Sequence, residues 1–276
     1  MIRIAILDLY EGQPNQGMRC LREIINQWGE YHNLDVAWDE FDVRQKCEVP
    51  DLTYDIYISS GGPGSPLETE GSDWEKAYFG WLEGVEGWNN NPAHTQKKFV
   101  FFICHSFQLA CRHWGVAEIT KRKSTSFGVF PVHVLMEGQK DPVFANLMDP
   151  FYVVDSRDWQ VIRPNFDRLH AMGAHVLAVE KYRPHVPYEQ ALMAIRFNHY
   201  MIGTQFHPEA DAIGMSIHLQ TEEKKKTVID NFGEAKWHSM IDQLNDPEKI
   251  MWTYAHLIPN FLAFAADQLK PTLIVQ

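Results

Sequence analysis

At 276 residues, 45% hydrophobic and 22% charged, the chain is long enough to bury a large core and has the balance of a globular protein. Its formal charge of −11 argues against a surface built for nucleic acid or an anionic membrane, because phosphate is bound chiefly by Lys and Arg. Four cysteines, Cys20, Cys47, Cys104 and Cys111, are too sparse for a disulfide scaffold; together with the lack of a signal-like segment or a long apolar span, they point to the cytosol.

Taken in chain order, Ile2 to Leu9 reads as a buried strand. Asn15 then caps a helix that carries Leu21, Ile24, Ile25 and Trp28 on one face and ends near Gly29. Strands follow at 35–43 and from Tyr54 to Ser59, and the second runs into the loop ISSGGPGSP. Ser72 with Glu75 forms a capping-box signature before Trp74, Tyr78, Trp81, Leu82 and Val85 at helical spacing. Phe99 to Ile103 is unbroken in its apolarity, as a strand buried on both faces requires. Phe107, Ala110, Cys111 and Trp114 then recur at i, i+3, i+4 and i+7, and Gly115 stops the helix. This alternation predicts an α/β fold, a mainly parallel sheet with helices on both faces and sites at the carboxyl ends of its strands.

β-branched and aromatic residues dominate 117–136, further strands are expected near 151–155 and 175–179, and 191–206 reads as a hairpin turning at Asn198 and His199. These strands either extend the main sheet or form an antiparallel patch. Beyond about 212 the pattern becomes helical, through TEEKKKTVIDNFG, EAKWHSMIDQL and a helix opening at Asp246-Pro247. The expected plan is one α/β domain over 1–212 with a helical C-terminal extension over 213–276, whose Trp237, Trp252, Tyr254, Phe261 and Phe264 pack against it.

Cys104 falls on the turn between a strand and a helix, where free backbone N–H groups and the positive helix end favour thiolate. A buried core thiol is the competing reading. His207 and Glu209, in GTQFHPEA, lie two apart at another strand end, so the carboxylate can orient the imidazole while Pro208 stiffens the turn. An ordinary surface turn is the alternative there. The glycine-rich loop can present N–H groups where side chains would collide, which makes the Gly62 N–H, with that of His105, a candidate oxyanion donor. A tight structural loop is the simpler reading. A phosphate loop is disfavoured, since no Lys follows and Gly64 stands where a pyrophosphatase signature needs Asp.

Taken together and in this order, GGPGSP, ICHSFQ and GTQFHPE resemble the class I glutamine amidotransferase family, and most of all its free-standing GMP synthase-like glutaminases. The resemblance spans residues 1–212 and implies a flavodoxin-like, three-layer fold. It implies Cys104 as nucleophile, His207 as base and acid, Glu209 as the orienting carboxylate, and Gly62 and His105 at the oxyanion. It further implies Gly61, Gln108, Ser156 and Arg157 as substrate contacts.

Two departures stand out. Phe102 and Ser106 occupy the elbow positions where the family places small residues, which implies remodelled loops around Phe102. Arg157 replaces a histidine beside the substrate's head group, either as a surface charge or as an altered carboxylate contact.

The implied activity is release of ammonia from glutamine or a similar γ-amide through a thioester, with no metal or organic cofactor. A γ-glutamyl or other small-amide hydrolase, or a silent binding protein of the same fold, are the alternatives. The implied partners are the small amide and a separate ammonia-accepting synthase. A metal at Cys104, His105, Cys111 and His113 is disfavoured, because Cys111 and His113 diverge by roughly 200° around a helix.

Overall fold

A computed structural model describes residues 1–185, 188–244, 246 and 249–270. Its strands are β1 (Ile2–Asp8), β2 (Val36–Asp42), β3 (Ile56–Ser59), β4 (Phe99–Ile103), β5 (Ala117–Val134), β6 (Phe151–Pro164), β7 (His175–Glu180), β8 (Leu192–Asn198) and β9 (Met201–Thr204). They form a nine-stranded sheet in the order β2-β1-β3-β4-β9-β8-β7-β5-β6. The run from β2 to β9 pairs in parallel, and only β8 and β5 run against the other strands. The middle strands thus extend the main sheet. The hairpin between β8 and β9 turns at His199 and Tyr200, one residue later than expected.

The helices are α1 (Gly17–Tyr31), α2 (Val43–Lys46), α3 (Asp73–Asn90), α4 (His105–Trp114), α5 (Met136–Lys140), α6 (Phe166–Met172), α7 (Ala212–Leu219), α8 (Glu222–Phe232), α9 (Glu234–Leu244) and α10 (Ile250–Leu269). Alternate residues of each central strand serve opposite layers. Ile4, Ile6, Phe99, Phe101 and Ile103 meet α1 and α10, whereas Ala5, Leu7, Val100 and Phe102 meet α3 and α4. That double burial is why these strands are apolar throughout.

Local signals set the helix starts. The Asn15 carboxamide accepts from the Met18 N–H at 2.9 Å, and Ser72 Oγ accepts from the Glu75 N–H at 3.4 Å. The capping box is half formed, because the Glu75 carboxylate turns instead to Thr69 and Arg112.

Phe102 lies in the layer beneath α4. Its fully buried ring meets Trp114 and Phe197 edge to face, each at 5.8 Å. Gly203 stands opposite it on β9, where a Cβ would lie 2.7 Å from the Phe107 ring and 3.0 Å from Phe102 Cβ. The ring is therefore absorbed by sheet and helix packing, and the expected remodelling of loops around it is not what accommodates it.

The helices beyond 212 divide between two layers. Met215, Leu219, Val228, Met240 and Leu244 of α7, α8 and α9 cover Val129 and Val154 of the antiparallel strands. α10 returns to the central sheet and buries Leu257, Ile258, Phe261 and Leu262 in the main core. Of the expected aromatic contacts, Phe261 is buried and Tyr254 and Phe264 are partly so, while Trp252 is 37% exposed and bonds Asn146 O through its indole N–H. α10 starts at Ile250, later than the expected Asp246-Pro247 opening, and Pro247 lies outside the described residues. No described helix is long and apolar enough to cross a membrane. Gly203→Ala is expected to cost about 1–3 kcal/mol through overpacking against Phe102 and Phe107, read as a lowered urea midpoint with an unchanged m-value.

Candidate active site

β1, β3, β4 and β9 are parallel neighbours, so their carboxyl ends open on one edge of the sheet. Tyr10, the 60–66 loop, Cys104 and His207 all leave from that edge. There Tyr10, Gly62 to Gly64, Cys104 and His207 line a cleft of about 1060 Å³ together with Gln108 and Arg157.

Cys104 joins β4 to α4 with φ 48 and ψ −96, a backbone state that costs a non-glycine residue on the order of 1–3 kcal/mol. Its neighbours over-determine it. The Cys104 N–H donates to Thr204 O at 2.7 Å, and its carbonyl accepts from the Gln108 N–H at 3.0 Å. Ser106 ties the elbow to both adjoining strands: its Oγ accepts from the Ile103 N–H at 2.8 Å and lies 2.8 Å from Ser59 O. The hydroxyl thus does bonding work at a position where the resemblance implied a smaller residue. Cys104 Sγ lies 4.0 Å from Ser156 O and 3.9 Å from Gln205 Nε2.

His207 follows β9 and is fixed by its backbone N–H on Val154 O at 2.9 Å. Its Nδ1–H donates to Glu209 Oε1 at 2.8 Å, and Glu209 is 1% exposed. Burial disfavours the imidazolium, but the Glu209 carboxylate and the Cys104 sulfur outweigh it. Together they hold the His207 pKa well above its ordinary 6.5. The structure therefore brings the three residues together, with His207 and Glu209 two apart on one strand end and Cys104 at another.

Gly61 sits behind this cluster and not on the cleft wall. A Cβ there would lie 2.7 Å from His207 Cε1 and 3.3 Å from the Tyr10 hydroxyl. Gly62 presses on Leu9 O, which a Cβ would meet at 2.4 Å, and it lines the cleft. The His105 ring is buried, with its pKa pushed down to about 3 by burial and by Arg44 and Arg112, so the imidazole is neutral. Gln108 lines the cleft and its Nε2 donates to Trp159 O at 3.3 Å.

Arg157 is not a surface charge. It is 5% exposed; Nε donates to Asp155 at 2.8 Å and Nη2 to Glu180 at 3.2 Å. Burial opposes its charge, yet the two carboxylates more than offset this and raise its pKa. Ser156 is exposed and stands on the cleft wall. On α4 the side chains diverge as helical spacing demands: Cys111 is in the apolar core and His113 stacks on Phe79 at 4.6 Å.

Two residues escaped the sequence reading. Tyr10 stands beside His207 and Glu209, its pKa driven well above 10 by burial, by Glu209 and by Cys104. Gln205 is fully buried against Cys104 Sγ. Their signals were present but weak: Tyr10 lies just past the end of β1, and Gln205 is two residues before His207 in extended chain.

The chain belongs to the class-I glutamine amidotransferase family, whose model matches residues 15–220. A glutamine amidotransferase from Thermotoga maritima is similar in structure at TM-score 0.64 and 16% identity, over 98% of this chain and 99% of that one. A glutamine amidotransferase from Methylobacillus flagellatus gives TM-score 0.63 and 13% identity, over 100% and 97%. The glutaminase domain of Trypanosoma brucei CTPS, with bound acivicin, gives 0.57 and 15%, over 97% and 94%. At these identities the likeness carries the fold. Comparison with curated proteins gave no significant match.

The raised pKa of His207 has a defined sign. Its pairing adds stability that is complete below the unfolded value near 6.5 and is lost as pH rises through the folded value. The stability gap between wild type and His207→Gln, measured by urea unfolding across pH, is therefore expected to be widest below about pH 6.5 and to close on the alkaline side.

Proposed function

We propose that the protein hydrolyses the γ-amide of glutamine or a close analogue through a thioester on Cys104. The observation that carries this reading is the His207–Glu209 hydrogen bond of 2.8 Å, on the wall of an open cleft that Cys104 also lines. Family membership and the glutaminase-type fold support the same reaction.

In this scheme the proton already rests on His207 as sulfur attacks the amide carbon, and Glu209 steadies the imidazolium. The oxygen that becomes negative lies toward the N–H groups of Gly62 and His105. His207 then gives the proton to departing ammonia. It next takes one from water, which attacks the thioester, frees the acid and restores the starting sulfur–imidazolium pair. Gln108, Ser156 and Arg157 lie where the substrate's head group would rest. Arg157 orders that wall through Asp155 and Glu180. The amidotransferase unit is placed at 1–212 and the remaining helices beside it, in a cytosolic protein that passes ammonia to a separate synthase.

A second reading keeps this chemistry on a γ-glutamyl compound, for which the open cleft leaves room. Ammonia release from glutamine and amine release from γ-glutamyl compounds, assayed side by side, separate the two. Cys104→Ala is expected to reduce either activity to background, and Glu209→Gln to lower kcat by about 10²-fold or more. A Cys104→Ala protein as active as wild type would overturn the thioester mechanism.

A further inference from the structure

The loop after β3 is gripped from outside the cleft by two arginines. Arg44 of α2 donates from Nη1 to Pro63 O at 2.6 Å and to Leu9 O at 3.4 Å, while its Nη2 pairs with Glu11 at 2.9 Å. Arg112 of α4 donates to Pro66 O and pairs with Glu75 at 2.5 Å. Ser65 Oγ closes the far end by accepting from the N–H groups of Leu67 and Glu68.

The Arg44 side chain is only 6% exposed, so its bonds act in a poorly screened environment, where charge-assisted contacts are strongest. The Pro63–Gly64 peptide is trans, and the amide of a trans peptide points opposite to its carbonyl. Drawing the Pro63 carbonyl to Arg44 therefore turns the Gly64 N–H the other way. Gly62, Pro63 and Gly64 all line the cleft, and the N–H groups of Gly62 and Gly64 have no backbone acceptor among the described residues.

We propose that Arg44 is a positioning residue for amide hydrolysis: it holds the Pro63 carbonyl away from the cleft and so keeps the Gly64 N–H, beside that of Gly62, toward the developing oxyanion. Released from Arg44, that carbonyl is free to turn inward and set a partial negative charge where negative charge must build. The bond also polarises the peptide and strengthens its N–H as a donor. Through Glu11, Arg44 joins the segment after β1, whose Tyr10, Gln13 and Gln16 form another part of the cleft wall. The inference rests on the amide-hydrolase reading above.

The test compares Arg44→Met and Arg44→Lys with wild type in glutamine turnover, in alkylation of Cys104 by iodoacetamide, and in crystal structures of each variant. Arg44→Met is expected to lower kcat by about 10- to 100-fold with KM changed less than about threefold, and Arg44→Lys to recover part of the loss. Alkylation, which does not use the loop, is expected to stay within about twofold of wild type. The Pro63 carbonyl is expected to face the cleft in Arg44→Met. An unchanged kcat in an active enzyme, or a carbonyl still in its wild-type direction, overturns the proposal. If wild type releases no ammonia from glutamine, the functional reading falls and the carbonyl direction alone decides this one. Should Arg44→Met fail to fold, Arg44→Lys supplies the same two readouts.

Discussion

The left-handed turn at Cys104 is the constraint on which the rest of this architecture depends. A non-glycine residue at φ 48 persists only where surrounding bonds outweigh its strain, and here they come from three strands. Thr204 of β9 accepts the Cys104 amide, the Ser59 carbonyl of β3 meets the Ser106 hydroxyl, and β4 supplies Ile103. Those strands are parallel neighbours, so the bonds that hold the elbow also bring the glycine loop and His207 to the same edge.

Packing beneath the elbow completes the arrangement. Phe102, Phe107, Trp114 and Phe197 form an aromatic layer under α4, and the missing side chain at Gly203 makes room for it. A large residue two positions before the cysteine is thereby compatible with an open cleft, since strand alternation sends its ring into the layer opposite α1 and α10. The arginines obey a related logic. Arg157 is neutralised by Asp155 and Glu180, whereas Arg44 and Arg112 pair with Glu11 and Glu75 and also bond loop carbonyls, so none is left as an unpaired buried charge.

The sheet and its helix-covered faces were legible from residue patterns, because strand burial is a local property, whereas Cys104, His207 and Glu209 were joined as a set only by the family resemblance. Apolar runs such as Phe99 to Ile103 state that both faces are covered. Residues two apart at a strand end state that His207 and Glu209 point the same way. Less legible were features set by distant partners. Arg157 read as a surface charge or a substrate contact because Glu180, which helps bury it, comes from β7, although Asp155 stands two residues away on its own strand. The Glu75 carboxylate looked like half of a capping box, yet a charged partner on α4 was available and won. Gly61 resembled a cleft residue, but His207, arriving from far along the chain, occupies the space in front of it.

Sequence alone determined which residues are apolar on two faces, where the strands end, and which chemistry-bearing side chains leave those ends. Only the tertiary structure decided that Phe102 points away from the cleft, that α10 joins the central core while α7 to α9 cover the antiparallel strands, and that Arg44 grips the glycine loop. The reason is physical: periodicity and backbone preference act over a few residues, whereas ion pairing, ring packing and the space left by a glycine depend on which segments the folded sheet brings side by side.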